Sequence, residues 1–368
     1  MKFVKAPTIM ACVIWSCAYG QSGAPMIRTT SNALEYSAPL TVQDIGPAPA
    51  LAGPYGCDGD GSIYAWINGY IYAGGNSNPD RLALVGIHPD GTVTSFSGHS
   101  VTGPNGTSLF PKSFFVGNEH VYLLVDAEAS AGSGLHTQSV LVLDKQGGLN
   151  RAITLESDLH PLVFGVFRSG KILAVSEDSS THRMALRLID KNGASIRELH
   201  LNDSDFILEG SELIPDSNTS VSYSPTLLIS MTKLIASGDH LLLVPVGTSN
   251  RPILELDENG IVSSVIPQLP DHTVVELFIS SDESSFKVQL GTLLESTKKV
   301  VDSQGKVLGI ATAPRHRVTE ISRIDGHILR EFELAKPELL PVCETDAVFH
   351  LLAIPSKERL QVSTAEIR

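Results

Sequence analysis

Short apolar runs separated by tight-turn residues dominate the chain from about residue 50 onward. The runs are rich in Val, Ile, Leu, Tyr and Phe, and they end at Gly, Asn, Asp or Ser. This alternation is typical of strands joined by hairpins. No long segment keeps the period of an amphipathic helix. The pattern therefore predicts an all-β protein.

One type of hairpin ends a strand on Asp and turns through a Gly-containing pair before the next strand. Asp side chains cap the free N–H groups of such turns, and the glycine adopts the positive φ that a tight hairpin needs. The copies turn at residues 90–91, 144–147, 190–193, 257–260, 302–305 and 325–326.

A second type of hairpin lies upstream of the first and has a proline or an apolar lead-in. Its six copies cover residues 54–66, 111–123, 161–173, 234–242, 278–283 and 341–351. The two types alternate, and together they form a four-stranded antiparallel unit. Such a unit, repeated at about 40–50 residues with loop insertions, is the blade of a β-propeller. The sequence predicts about six blades.

The segment from Pro54 to Trp66 carries a resemblance to a known superfamily through its proline, apolar strand, Asp/Gly turn and apolar-Tyr strand. In these features the chain resembles the six-bladed β-propeller superfamily that includes NHL-repeat and TolB-like proteins, over nearly all of its length after the N-terminus. Lactonase relatives in that superfamily use a Glu, two Asn or Asp and a channel metal. One sequence does not place such residues in a channel, so the catalytic residues stay unassigned.

The ends of the chain indicate how the ring closes. The last repeat, residues 341–367, holds about three strands, and the stretch 32–45 can supply the missing outer strand. We expect an N-terminal segment at 21–50 and one propeller domain at 51–368, with a polar surface-loop insertion at 202–225. Residues 286–334 carry one hairpin too many. Either blade five is expanded or the count is wrong, and seven blades or a two-sheet sandwich array are the alternatives.

The first twenty residues have the pattern of a secretory signal peptide. Lys2 and Lys5 precede an apolar run at 6–15, and small residues at 18 and 20 predict cleavage between Gly20 and Gln21. The run is shorter than the ~20 residues of a spanning helix. The chain is therefore predicted to be secreted or periplasmic, with no transmembrane segment.

A competing interpretation of the leader is a lipoprotein signal over residues 14–17, in which Cys17 would be acylated and would tether the protein to a membrane. Trp15 argues against it, because that signal prefers a small residue at this position.

The amino-acid composition argues against one class of binding partner. The 368 residues are 42% hydrophobic and 18% charged, with 27 Lys and Arg against 40 Asp and Glu, a formal net charge of −13. Loss of Lys2 and Lys5 with the leader makes this −15. Nucleic-acid binding needs clustered Lys and Arg. We therefore expect no nucleic-acid partner.

Cleavage after Gly20 leaves two cysteines, Cys57 and Cys343, at matching places in the first and last upstream hairpins. Those hairpins are neighbours in a closed ring. A disulfide there would be possible in an oxidising compartment and worth ~2–5 kcal/mol. The alternative is two buried thiols that never meet.

Other chemistry is sparse. Residues 58–62 (DGDGS) alternate oxygen ligands with glycines, as a Ca²⁺ loop does, but the third carboxylate and distal Glu of such a loop are missing. A turn is the favoured interpretation. Among twelve histidines, His350 is expected in the last inner strand, facing the channel. No resident cofactor or metal is predicted, with a divalent metal as the alternative.

These observations favour an exported propeller that binds a protein or small-molecule ligand, or acts as a scaffold. The alternatives are a metal-dependent enzyme of the lactonase or lyase type and a purely structural surface protein. The sequence favours binding over catalysis, because it contains no Gly-x-Ser-x-Gly elbow and no phosphate-binding loop.

Overall fold

A computed structural model describes residues 34–42, 51–67, 83–97, 109–128, 136–178, 183–199, 211–213, 220–222, 232–245, 252–266, 272–279, 284–292, 297–301, 307–312, 314–335, 339–356 and 359–368. All of the regular secondary structure in these residues is β-strand. None of the described segments forms a helix that is long and apolar enough to span a membrane. The predicted signal peptide and Cys17 lie outside the described residues.

Two short strands precede the ring: β1 (Leu34–Tyr36) and β2 (Leu40–Thr41). Blade 1 comprises β3 (Leu51–Cys57), β4 (Ile63–Ile67), β5 (Ala83–Ile87) and β6 (Val93–Ser97). Blade 2 comprises β7 (Leu109–Val116), β8 (Val121–Glu128), β9 (His136–Leu143) and β10 (Leu149–Thr154). Blade 3 comprises β11 (Val163–Val166), β12 (Ile172–Asp178), β13 (Arg183–Ile189) and β14 (Ser195–Leu199).

An additional hairpin then follows, made of β15 (Ser211–Leu213) and β16 (Ser220–Ser222) within the predicted insertion. Blade 4 comprises β17 (Thr232–Ser237), β18 (His240–Pro245), β19 (Ile253–Leu256) and β20 (Val262–Ile266). The next strands are β21 (His272–Ile279), β22 (Ser285–Thr292), β23 (Thr297–Val301), β24 (Val307–Thr312), β25 (Pro314–Ser322) and β26 (Ile328–Glu333). Blade 6 contains β27 (Leu339–Thr345), β28 (Val348–Ser356) and β29 (Arg359–Ile367).

The six antiparallel sheets form a β-propeller, as the alternating hairpins predict. The first strand of each blade lies innermost. Neighbouring blades meet through these strands around the ring, with β21 also contacting β18 and with β27 reaching β3 to complete the ring. The sequence alternatives of seven blades and a sandwich array are wrong.

The hydrophobic core lies between neighbouring blades. Trp66 of blade 1 packs edge-on against Phe114 of blade 2 with ring centroids 5.3 Å apart, and Phe278 of blade 5 meets Phe349 of blade 6 at 6.2 Å. Each blade therefore buries both faces. This is why a second strand such as β18, which is covered on both faces, reads as a continuous apolar run rather than an alternating one.

The turns use the chemistry that the sequence predicts. Asp257 Oδ1 accepts hydrogen bonds from the N–H groups of Asn259 and Ile261, at 2.9 and 2.8 Å. Gly260, in the same turn, has a φ of 69°. The same arrangement recurs at the turns that begin at Asp58, Asp144 and Asp190.

The N-terminal strands close the ring. Leu34 pairs with Ile367 through β1, and Leu40 pairs with Val362 through β2, so both strands extend β29. They occupy the outer place that three-stranded blade 6 leaves open, which removes an exposed sheet edge. The predicted N-terminal closure is confirmed.

Blade 5 is the expanded blade. Its sheet order is β21-β22-β25-β26, and β23 and β24 form a separate two-stranded sheet between its second and third strands. The surplus hairpin in the sequence is this insertion, so the repeat count of six is unchanged.

Candidate functional site

The inner strands of all six blades line a central channel that encloses a cavity of 350 Å³. The apolar lining includes Phe114, Phe164, Leu234, Leu277 and Val342. Polar side chains, among them Asp58, Lys233, Glu276 and Glu344, interrupt this lining. We take the channel as the candidate site, since small-ligand pockets in proteins enclose about 300–1,000 Å³.

An ion pair between blades 4 and 5 forms one polar part of the channel wall. Lys233 Nζ, on β17, lies 2.5 and 2.6 Å from the two carboxylate oxygens of Glu276, on β21. The two side chains are only 11% and 8% exposed. Burial raises the pKa of Glu276, and the adjacent Lys233 ammonium opposes that rise.

Tyr55 of blade 1 lines the same channel. Burial raises the pKa of Tyr55 to about 12, and the negative charge of Glu276 adds to the rise. The phenol therefore keeps its proton at neutral pH and remains a hydrogen-bond donor. Tyr55, Lys233 and Glu276 bring groups from three blades to one cavity.

A second ion pair joins blades 5 and 6. Lys287 Nζ, on β22, lies 2.6 Å from Glu344 Oε1, on β27, and both side chains are almost fully buried. Burial raises the pKa of Glu344, while the hydrogen bond from Lys287 lowers it. Beside this pair, Glu320 accepts hydrogen bonds from Ser285 and Arg330. Each of these carboxylates thus has a basic partner.

The loop from Asp58 to Ser62 is a hairpin turn. Asp58 Oδ1 accepts the N–H groups of Asp60 and Ser62, both at 3.0 Å. Its Oδ2 accepts the Tyr64 hydroxyl at 3.0 Å and lies 3.1 Å from Lys145 Nζ of blade 2. A Ca²⁺ ion would have to displace these donors from the carboxylate. The geometry agrees with the turn that the sequence favours.

His350 does not face the channel, and the sequence expectation is wrong. It lies on β28, the second strand of blade 6, because Leu339–Thr345 rather than Val348–Ser356 forms the inner strand. Its Nε2 is 2.6 Å from the Thr345 hydroxyl, and its ring packs against Gly61 of blade 1. Burial lowers the pKa of His350, with the Asp58 carboxylate opposing.

Cys57 and Cys343 lie side by side where blade 1 meets blade 6. Their Cα atoms are 5.8 Å apart and their sulfur atoms are within bonding distance. This separation is inside the range of about 4.4–6.8 Å that a disulfide requires. The disulfide between them stays a prediction.

Nowhere in the described ranges do three or more His, Cys, Asp or Glu side chains group as they would to hold a metal ion.

The sequence did not point to the channel-lining polar residues Tyr55, Lys233, Glu276 and Glu344, or to Lys287, which pairs with Glu344. One local signal was present. Lys233 and Glu276 each sit next to a leucine just before the predicted hairpins 234–242 and 278–283. A charged residue beside such an apolar run is rarely buried unless it is paired.

Comparison with known proteins finds no matching family model and no matching curated protein. Among solved structures, the Neurospora crassa Pan2 WD40 domain is 13% identical, with 92% of this chain and 97% of that chain covered and a TM-score of 0.44. A member of the DUF4221 family from Bacteroides vulgatus is 9% identical, with 92% and 99% covered and a TM-score of 0.47. BamB from Moraxella catarrhalis is 10% identical, with 91% and 98% covered and a TM-score of 0.39.

Proposed function

We propose that the chain is an exported binding module whose central channel takes a small ligand. The observation that carries this is the channel itself, an open cavity of 350 Å³ walled by all six blades. Its three buried carboxylates, those of Asp58, Glu276 and Glu344, are each paired with a lysine from an adjacent blade. Carboxylates neutralised in this way suit recognition better than metal coordination or proton abstraction.

Export is supported by two features. The first twenty residues carry the pattern of a secretory leader. Cys57 and Cys343 are placed as a disulfide requires, and disulfides persist in oxidising compartments such as the periplasm or the cell exterior.

Methyl NMR on the exported protein, labelled at Ile, Leu and Val, tests the binding function. Pools of small neutral, acidic and basic compounds would be added. We expect one pool to shift the methyl signals of Leu234, Leu277 and Val342, which line the channel. The methyl signals of Leu149 and Leu329 should not shift, because these side chains are exposed on outer strands.

Two results would contradict the proposal. One is the absence of channel shifts with every pool. The other is a stoichiometric divalent metal in the purified protein together with hydrolysis of a lactone substrate, which would support the enzyme alternative instead.

A further inference from the structure

Within the part of the chain that the structure describes, Lys233, Glu276 and Tyr55 do not use all of their hydrogen-bonding capacity, although Glu276 also accepts a backbone hydrogen bond from Leu277. A lysine ammonium has three N–H donors, and Lys233 directs two of them at the Glu276 oxygens. Each carboxylate oxygen offers two lone pairs, and a phenol both donates and accepts. The site therefore presents both donors and acceptors to whatever enters the cavity.

The net charge of this group selects against charged ligands. Lys233 and Glu276 cancel each other, and the Tyr55 phenol is neutral. Both ionic side chains are about nine-tenths buried, so a net charge brought beside them would lose its water without gaining a counter-ion. A neutral ligand that carries hydroxyl groups meets the donors and acceptors without that penalty.

The neighbouring wall is apolar. Leu162, Phe164 and Leu234 line the same cavity, so a ligand needs an apolar face beside its hydroxyl groups. Sugar rings combine the two, with C–H groups on their faces and hydroxyls at their rims. We propose that the Lys233–Glu276–Tyr55 part of the channel binds a neutral monosaccharide or disaccharide. This inference rests on the proposed function and names its ligand class.

Sugars with the same kind of ring but different charge test the inference. The probes are glucose, galactose and maltose, with glucosamine and galactosamine as cations and glucuronate and galacturonate as anions. Affinities come from methyl shifts of Leu234 and Leu277 at millimolar concentrations. We expect at least one neutral sugar to bind about tenfold more tightly than its charged counterparts, a difference of about 1.4 kcal/mol.

Charge variants sharpen the test, because each leaves one ion unpaired. Lys233→Met should weaken the binding of neutral sugars and strengthen the binding of aminosugars. Glu276→Gln should strengthen the binding of uronates. Tyr55→Phe should weaken neutral sugars without changing the charge preference. Lys171→Met is the matched control, since Lys171 also reaches across two blades, to Glu258, but does not line the channel. Thermal unfolding first establishes that every variant folds.

The outcomes separate the two proposals. If a uronate or an aminosugar binds the unsubstituted protein as tightly as the neutral sugars, the channel is a binding site but the inference is overturned. It is also overturned if no neutral sugar binds while another pool shifts the channel methyls, or if the charge variants leave the preference unchanged. If no compound of any class shifts those methyls, both proposals fail.

Discussion

A Cβ atom at position 61 would lie 2.2 Å from Cε1 of His350, so the blade 1 turn fits against blade 6 only because residue 61 is glycine. Gly61 also has a φ of 78°, a conformation that costs an L-residue about 1–2 kcal/mol. One glycine therefore serves both the hairpin and the junction where the ring closes.

Gly61→Ala should lower the free energy of unfolding by at least about 2 kcal/mol, because backbone strain and the clash with His350 act together. Urea unfolding followed by circular dichroism measures this. Gly59→Ala is the control in the same turn, since a Cβ there meets nothing within 4 Å, and it should change stability by less than about 0.5 kcal/mol. Equal effects of the two substitutions would refute the argument.

Asp58 and Asp257 cap turns of the same geometry but differ in burial. Asp58 also accepts the Tyr64 hydroxyl and faces Lys145, whereas Asp257 mainly serves its own turn. Asp58→Ala should lower the free energy of unfolding by about 3 kcal/mol, because it leaves the buried Tyr64 hydroxyl and the Lys145 ammonium without their partner. Asp257→Ala should cost about 1 kcal/mol. Urea unfolding of the two variants provides the comparison through their midpoint concentrations. The prediction fails if Asp257→Ala lowers the midpoint more than Asp58→Ala does.

The local parts of this fold could be predicted from the sequence. A turn such as Asp257 to Gly260 is specified by adjacent residues, and the missing strand of the last repeat pointed to N-terminal closure. The count around blade 5 was ambiguous, because the inserted hairpin β23–β24 has the same local pattern as a blade hairpin. His350 was misplaced for a related reason. The first and second strands of a blade are equally apolar, so the pattern does not tell them apart.

The channel could not be predicted in the same way. Lys233 and Glu276 are 43 residues apart and belong to different blades. Which side chains face one another across a ring depends on how each blade is rotated against its neighbour. Packing between blades sets that rotation, and it leaves no periodic signal in one chain.

His350 should make stability depend on pH. Because burial lowers its pKa, the unfolded chain binds a proton here at a higher pH than the folded chain. The stability contributed by the neutral imidazole is fully present above the ordinary pKa of about 6.5 and is lost progressively as the pH falls below it, towards the lowered pKa of the folded state. Stability should therefore decrease from about pH 7.5 to pH 5.5.

His350→Gln isolates this contribution, since it removes the titrating group. Urea unfolding at several pH values should show a shallower decrease for this variant than for the unsubstituted protein. His160→Gln, at an exposed position, should keep the original slope. An unchanged slope in His350→Gln would assign the pH dependence to other groups.

Cys57 and Cys343 lie next to each other where the first and last blades meet. A bond between residues 286 apart closes nearly the whole propeller into one loop, so reduction should destabilise the protein by ~2–5 kcal/mol. Intact mass after alkylation, with and without prior reduction, detects it. We expect no alkyl groups before reduction and two after it. The mass should be that of a chain that begins at Gln21. Two alkyl groups without reduction would show that the thiols are free. A third cysteine, or the mass of an acyl chain, would instead show that Cys17 is retained.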